Sequence, residues 1–275
     1  VTRFGSCLFS IDTFPIVAGP CVIESERHAL EMAVRLAEIR DRLDLQLVFK
    51  ASFDKANRTS FSAYRGLSME HSIRIFRRIG KDTGLPVLTD VHVPDQPERL
   101  LGAVDVIQIP AFLCRQTDLL VAAAKTGLAM NVKKGQFMSP QGMDSAVEKL
   151  QKAGCENVAI TERGTSFGYD NLIVDIRAIP LMKTLGVPVI FDVTHSAKPP
   201  GYRSFIPTMA RAAIAAGCDG LYIEVHDRPD EALCDADIQW PLDQFEDLIV
   251  ELLAFRETYI RTRQEGREPV AHKRV

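Results

Sequence analysis

No run of eighteen apolar residues occurs in this sequence, so it offers no segment of the length that a bilayer-spanning helix requires. Its start, Val1-Thr2-Arg3-Phe4-Gly5, carries no apolar signal core, and a cytoplasmic location is the expectation. The six cysteines, Cys7, Cys21, Cys114, Cys155, Cys218 and Cys234, form no CxxC pair and are too sparse for a disulfide scaffold. Reduced, buried thiols are therefore the default, with Cys21 as the exception argued below. Charge is nearly balanced at a net -3, which removes the electrostatic case for a nucleic-acid or membrane partner. A GxGxxG turn is also absent, and this weakens the case for an open, doubly wound sheet.

What remains is the composition of an ordinary globular protein, 46% apolar and 25% charged over 275 residues. That length suits one α/β barrel as well as two small domains. Short apolar runs alternate with segments of helical spacing along the whole chain. The runs are Ile16 to Cys21, Leu45 to Ser52, Pro86 to His92, Val104 to Pro110, Leu128 to Lys133, Asn157 to Arg163, Val187 to His195 and Gly220 to His226. Helices are expected over Glu26 to Arg40, Met69 to Thr83, Asp118 to Lys125, Asp144 to Lys152, Leu172 to Leu185, Phe205 to Ala216 and Leu242 to Arg263. A turn or two of helix is expected near Pro97 to Leu101. Gly84, Gly127, Gly154, Gly186 and Gly217 each fall where a helix should stop before the next strand. Eight strands alternating with helices predict a single (β/α)8 barrel, with the doubly wound sheet as runner-up. Residues 1-14 are expected to form a hairpin capping the barrel floor, and 264-275 a flexible tail.

Barrel enzymes work at the C-terminal ends of their strands, and here every strand ends in polar chemistry. The residues are Cys21 and Glu24; Lys50; Asp90 and His92; Gln108; Lys133 and Lys134; Glu162 and Arg163; Asp192 and His195; Glu224 and His226. After Lys50 the chain continues Ala51-Ser52-Phe53-Asp54-Lys55-Ala56-Asn57-Arg58-Thr59-Ser60, a loop dense in cations and hydroxyls. Read alone it is equally a solvated basic loop. Lys50, Lys55, Arg58, Lys133 and Arg163 come, however, from three strands that converge on one mouth, which favours a substrate with at least two anionic groups. Cys21, His195, Glu224 and Asp235 offer thiolate, imidazole and carboxylate, a mixed set suited to one divalent transition ion such as Fe2+, Zn2+ or Mn2+. These four are far apart in sequence, and a lone cysteine or histidine is more often structural. Barrel closure makes strands one, seven and eight neighbours, which supports the grouping. His92 and His226 are weaker candidates, and His28, His71 and His272 read as surface residues.

With these residues in place, the chain resembles the 3-deoxy-D-manno-octulosonate-8-phosphate synthases, which condense phosphoenolpyruvate with arabinose 5-phosphate. The matching blocks are AGPCVIES (Ala18 to Ser25), FKASFDKANRTS (Phe49 to Ser60), LTDVH (Leu88 to His92), VIQIPAFLCRQTDLL (Val106 to Leu120), NVKKGQF (Asn131 to Phe137), TERGTSFGYDNLIVD (Thr161 to Asp175), FDVTHS (Phe191 to Ser196) and GCDGLYIEVH (Gly217 to His226). The sibling 3-deoxy-D-arabino-heptulosonate-7-phosphate synthases share barrel and phosphoenolpyruvate but take erythrose 4-phosphate. The loop Lys55-Ala56-Asn57-Arg58-Thr59-Ser60 is similar to the KANRS loop of the first group rather than the KPRTS loop of the second. A non-catalytic phosphosugar-binding barrel is the remaining alternative, and it would leave the metal ligands without a purpose.

The resemblance implies that Lys50, Ser52, Lys55, Gln108, Lys133 and Arg163 hold phosphoenolpyruvate, and that Asn57, Arg58 and Thr59 hold the sugar phosphate. In the family the Arg58 contact crosses a subunit boundary, which implies a homotetramer. Lys55, Asn57, Asp90, Lys133 and His195 are the implied catalytic group. Cysteine at position 21 marks the metal-dependent class, with His195, Glu224 and Asp235 completing the site, and the implied product feeds lipopolysaccharide synthesis. Three departures stand out: a short segment through Pro199-Pro200-Gly201 where the family carries a longer glycine-rich loop, Thr59 for the commoner serine, and Ala236 where glycine usually follows the aspartate.

Overall fold

The computed structural model describes residues 1-198 and 202-264. β1 (Arg3–Phe4) and β2 (Cys7–Leu8) pair antiparallel around Gly5. A Cβ at Gly5, whose φ is +57°, would meet Pro86 Cβ at 2.7 Å, so the turn can seat against the barrel only as glycine. The parallel sheet follows as β3 (Ile16–Gly19), β4 (Leu47–Lys50), β5 (Val87–Asp90), β6 (Val106–Ile109), β7 (Ala129–Lys133) and β8 (Val158–Glu162), each paired with the next. β9 (Thr165–Phe167) and β10 (Asn171–Ile173) form a separate antiparallel hairpin. β11 (Val189–Asp192) then pairs with β8, and β12 (Gly220–His226) pairs with both β11 and β3. That last pairing closes the ring into a (β/α)8 barrel and excludes the open doubly wound sheet. A short β13 (Trp240–Pro241) extends the rim beside Val225 and His226.

The helices are α1 (Glu26–Leu43), α2 (Met69–Thr83), α3 (Gln96–Arg99), α4 (Thr117–Ala124), α5 (Asp144–Lys152), α6 (Ala178–Lys183), α7 (Val193–Ser196), α8 (Ile206–Ala215) and α9 (Phe245–Gln264). Ser25 and Ser68 cap α1 and α2 by accepting the His28 and His71 backbone N–H groups. The five glycines expected to end helices all have positive φ. The helix expected over Leu172 to Leu185 is corrected: its first residues belong to the β9–β10 hairpin, turning at Gly168, and only Ala178–Lys183 is helical. Similarly, the run read as one strand to His195 ends at Asp192, whose side chain caps the single turn of α7. The departure at Pro199-Pro200-Gly201, His272 and the tail after Gln264 lie outside the described residues. Among the described residues no helix is long and apolar enough to cross a membrane.

Two cores result from the pleat. Outward residues such as Ile16, Phe49, Val87, Ile107, Ile160 and Phe191 pack under the helices. Inward residues Val17, Val48, Leu88, Val106, Ala129, Ala159, Ile190 and Tyr222 fill the lower barrel and are closed from below by Phe4, Cys7 and Phe9 of the N-terminal hairpin. One pleat higher the inward positions turn polar.

Candidate active site

Successive inward positions on a strand are two residues apart, so the residues above the apolar layer are Gly19, Lys50, Asp90, Gln108, Asn131, Thr161, Asp192 and Glu224. Lys133 and Arg163 stand above them at the ends of β7 and β8. Gly19 is bare because a Cβ there would lie 2.1 Å from the Lys50 carbonyl oxygen. Lys50, 2% exposed, donates to the Cys21 carbonyl at 2.8 Å and to Glu224 Oε1 at 2.7 Å. Tyr222 Oη donates to the same carboxylate oxygen at 3.1 Å. Lys133 Nζ pairs with Asp192 Oδ2 and sits 3.3 Å from the Tyr222 ring centroid. Thr161 and Asn131 form a hydrogen-bonded chain that ends on Gln108 Oε1 and orients that amide.

These charges are unequally compensated. Burial works against the Lys50 ammonium, but Glu224, with Cys21 and Asp90, outweighs it and holds the group above the ordinary lysine value. For Lys133 burial prevails over Asp192, and its pKa falls to about 8. Burial also draws down Arg163, whose Nη1 is buried without a hydrogen-bond partner among the described residues. A desolvated ammonium and guanidinium with unspent donors make a receptor for an anion that enters without its water.

Lys50, Ser52, Lys55, Asn57, Asp90, Gln108, Lys133, Arg163, His195 and Glu224 line one open pocket. Every residue expected to contact phosphoenolpyruvate is among them, and so is every expected catalytic residue. Lys55 donates to Ser52 Oγ at 3.1 Å, and Asp90 Oδ2 meets His92 Nε2 at 3.1 Å. Arg58 and Thr59 do not line this pocket. They stand on the loop beyond it, where Arg58 Nε donates to the Phe61 carbonyl at 3.3 Å and Phe61 is 94% exposed.

Behind His195 and Glu224 lies the expected ligand group. Asp235 Oδ2 is 3.2 Å from Cys21 Sγ and 3.6 Å from His195 Nε2, and Glu224 Oε2 is 3.9 Å from that nitrogen. Donors bound about 2.0–2.3 Å from one cation stand roughly 3.4 Å apart in a tetrahedron. The structure brings the ligand atoms of His195, Glu224 and Asp235 within 4.8 Å of one another, and those of Cys21, Cys234 and Asp235 likewise, with Asp235 common to both groups. Glu224 Oε2 is buried with no hydrogen-bond partner among the described residues, as a reserved ligand atom would be. Asp192 fixes the imidazole by accepting from the His195 N–H at 2.9 Å and pairing with Nδ1 at 2.8 Å, which leaves Nε2 facing the cluster. Burial, Cys234 and Glu224 raise the Cys21 thiol pKa well above its ordinary value, and a bound divalent cation reverses such a preference by binding the thiolate.

Sequence reasoning left several members out. Cys234, read as a buried apolar thiol, places its Sγ 3.2 Å from Cys21 Sγ. Asp192 was visible only as a strand end, yet it holds both Lys133 and His195. The left-handed backbone of the ligand loop falls on Asp235 itself, at φ 51°, and not on Ala236, so the alanine departure carries no strain of that kind. His28 is corrected from a surface residue: its Nε2 is 3.0 Å from Asp227 and its ring lies 4.5 Å from that of His226. His226 Nε2 in turn meets Glu24 Oε1 at 3.2 Å, and that oxygen also accepts the Leu233 N–H. The pair thus braces the loop that carries Cys234 and Asp235.

Comparison with known proteins agrees with this geometry. A sequence model of the DAHP synthetase I family matches residues 11–257. A relative from Bradyrhizobium sp. strain ORS 278, named 2-dehydro-3-deoxyphosphooctonate aldolase, is 53% identical over 262 residues, which is 92% of this chain and 90% of the relative. Relatives of the same name from Nitratidesulfovibrio vulgaris strain DP4 and Cyanothece sp. strain PCC 7425 are 52% and 49% identical over 247 and 251 residues. These alignments cover 87% and 88% of this chain and 90% and 92% of the relatives. With the family match spanning most of the barrel, and relatives near half identical over nearly their whole length, the chain belongs to the DAHP synthetase I family.

Proposed function

We infer that this chain is a 3-deoxy-D-manno-octulosonate-8-phosphate synthase, the enzyme also called 2-dehydro-3-deoxyphosphooctonate aldolase. It joins the methylene carbon of phosphoenolpyruvate to the aldehyde carbon of D-arabinose 5-phosphate. Water adds to the neighbouring carbon, and carbon–oxygen cleavage releases inorganic phosphate. The observation that carries the reading is the convergence of Lys55, Lys133 and Arg163 on one pocket that shares His195 and Glu224 with a His–Glu–Asp group, which Cys21 adjoins through Asp235.

Lys133 and Arg163, with Gln108, hold the phosphate and carboxylate of phosphoenolpyruvate and keep its charge compensated as the tetrahedral intermediate forms. Burial opposes the charge on Lys55, but Cys21 and Glu224 outweigh it and hold its ammonium above the ordinary value. Lys55 therefore enters the reaction protonated and gives its proton to the alkoxide developing at the aldehyde oxygen. Asn57 binds the sugar near that carbon, and Arg58 and Thr59 hold its phosphate. Cys21, His195, Glu224 and Asp235 would hold one divalent transition ion, which when bound supplies Lewis-acid polarisation of the aldehyde. Fixing two polyanions against each other is the main work of the basic residues.

Exposed aromatics cluster in the loops around the mouth, with Phe61, Phe112, Phe137, Phe167 and Tyr169 all more than half exposed. A homotetramer that covers them and completes the Arg58–Thr59 subsite is part of the reading. The six free cysteines suit a reducing, cytoplasmic compartment.

Phosphate release from phosphoenolpyruvate tests the proposal, with arabinose 5-phosphate and erythrose 4-phosphate compared before and after chelation. Turnover with the five-carbon sugar, lost on chelation and restored by Fe2+, Mn2+ or Zn2+, is expected. Preference for erythrose 4-phosphate would instead make the chain a heptulosonate synthase, the enzyme for which the matching family is named. Full, chelator-resistant activity in Cys21→Ala would remove the metal from the reading.

A further inference from the structure

Gln239 is 1% exposed and touches the metal cluster through backbone alone. Its Oε1 accepts the Cys21 N–H at 3.1 Å, and its Nε2 donates to the Cys234 carbonyl at 2.8 Å. Its own backbone N–H donates to the Asp235 carbonyl at 3.2 Å. One partner is a pure donor and the other a pure acceptor, so only one orientation of the amide satisfies both. Gln239 is itself anchored, because the next residues form β13, which pairs Trp240 with Val225 and Pro241 with His226 on the barrel rim. A rigid element thus fixes an amide that spans two chain segments separated by 213 residues at their thiols.

We propose that Gln239 is a positioning residue that sets the spacing between the Cys21 turn and the Cys234–Asp235 turn, and through it the affinity for a divalent transition ion. The inference rests on the metal reading of the Cys21–His195–Glu224–Asp235 cluster. The two ligand segments also meet where Glu24 accepts the Leu233 N–H at 2.8 Å and through the ligand atoms themselves, but Gln239 is held to the backbone of both Cys21 and Cys234, the residues at the cluster. Asp235 adopts the left-handed region without being glycine, and the Gln239 N–H, with that of Ile238, stabilises this backbone. Loss of the amide frees both turns, and the cost falls on ion binding rather than on phosphoenolpyruvate, which Gln239 does not reach.

The test uses metal-stripped, full-length protein titrated with Co2+ against a competing chelator, following the thiolate-to-Co2+ charge-transfer absorption that reports Cys21 ligation. Gln239→Met keeps the volume and removes both side-chain hydrogen bonds. Co2+ affinity is expected to fall about 10–100-fold, the usual cost of losing an outer partner of a metal ligand, with a weaker thiolate band. Phosphoenolpyruvate affinity of the metal-free protein should be unchanged, and activity should recover at saturating Co2+. If the Met variant does not fold, Gln239→Glu decides, since it keeps the acceptor for the Cys21 N–H but loses the amide donor to Cys234. Co2+ binding equal to that of the parent, with only a lowered melting temperature, would make Gln239 merely structural and overturn the proposal. Absence of a thiolate–Co2+ band in the parent would overturn the metal reading and this inference with it.

Discussion

At the floor of the barrel the inward residues are Val17, Val48, Leu88, Val106, Ala159 and Ile190, and one pleat higher on the same strands they are Gly19, Lys50, Asp90, Gln108, Thr161 and Asp192. Both layers are buried, and they are held together by opposite means. The lower layer gains stability directly from area removed from water. The upper layer must compensate each buried charge, and it does so in pairs, Lys50 with Glu224 and Lys133 with Asp192. Buried ion pairs offer little net stability over apolar residues of similar size. The contrast shows that the mouth is built for binding charged groups, on a scaffold whose stability comes from the floor and the helix-facing core.

Glu224→Gln should break this division most severely. It removes a proposed ligand and leaves the Lys50 ammonium buried beside a neutral amide, so activity should be lost together with about 3–5 kcal/mol of stability. Denaturant melts and phosphate release measure the two effects, and a variant as stable as the parent would refute the view that Lys50 depends on this carboxylate. Leu88→Ala, at the floor, should cost about 2–5 kcal/mol by leaving a cavity, yet hardly change kcat/KM. A large loss of turnover in the folded Leu88→Ala protein would show that the two layers are not independent.

Lys133 sharpens the comparison through pH. Its pKa of about 8 lies below the ordinary 10.5, so its ammonium is lost as pH rises through 8. The value of kcat/KM for phosphoenolpyruvate should therefore fall above pH 8, by about tenfold per unit. Stability should move the other way. The unfolded chain binds the proton more tightly, so the fold's preference for neutral lysine adds stability between pH 8 and 10.5. The difference in unfolding free energy between the parent and Lys133→Met isolates this contribution, and an activity profile flat across that range would contradict the role given to Lys133. The smallest effect is expected at the rim, where Asn57→Ala should lower kcat/KM for the sugar phosphate about three- to tenfold and spare phosphoenolpyruvate. Equal losses for both substrates would mean that the pocket is not divided as proposed.

Much of this architecture was legible in the chain because it is written locally. The alternation of Val48 with Lys50, or of Ile190 with Asp192, marks a strand whose inner face changes character along its length. The glycines after α2, α4, α5, α6 and α8 mark where those helices stop. The Leu172 region misled because Leu172, Ile173 and Val174 are as apolar as a helix start, and only their pairing back onto Thr165–Phe167 across the turn at Gly168 makes them strand, with the helix delayed to Ala178. His28 misled for a related reason: its sequence position on α1 says nothing of Asp227, which lies 199 residues further on and packs against it.

The sequence by itself determined the strand and helix order, the polar chemistry at every strand end and the mixed thiolate, imidazole and carboxylate donor set. Only the tertiary structure decided which of those groups meet. Closing β12 onto β3 brings Cys21 beside Cys234 and Asp235, and it gives Gln239 both turns to hold. Asp192 likewise acquires Lys133 as well as His195 only when β7 and β11 share one barrel interior. The physical reason is that propensity and pleat act over a few residues, whereas the geometry of a buried polar cluster is fixed by the ring closure that all eight strands must satisfy together.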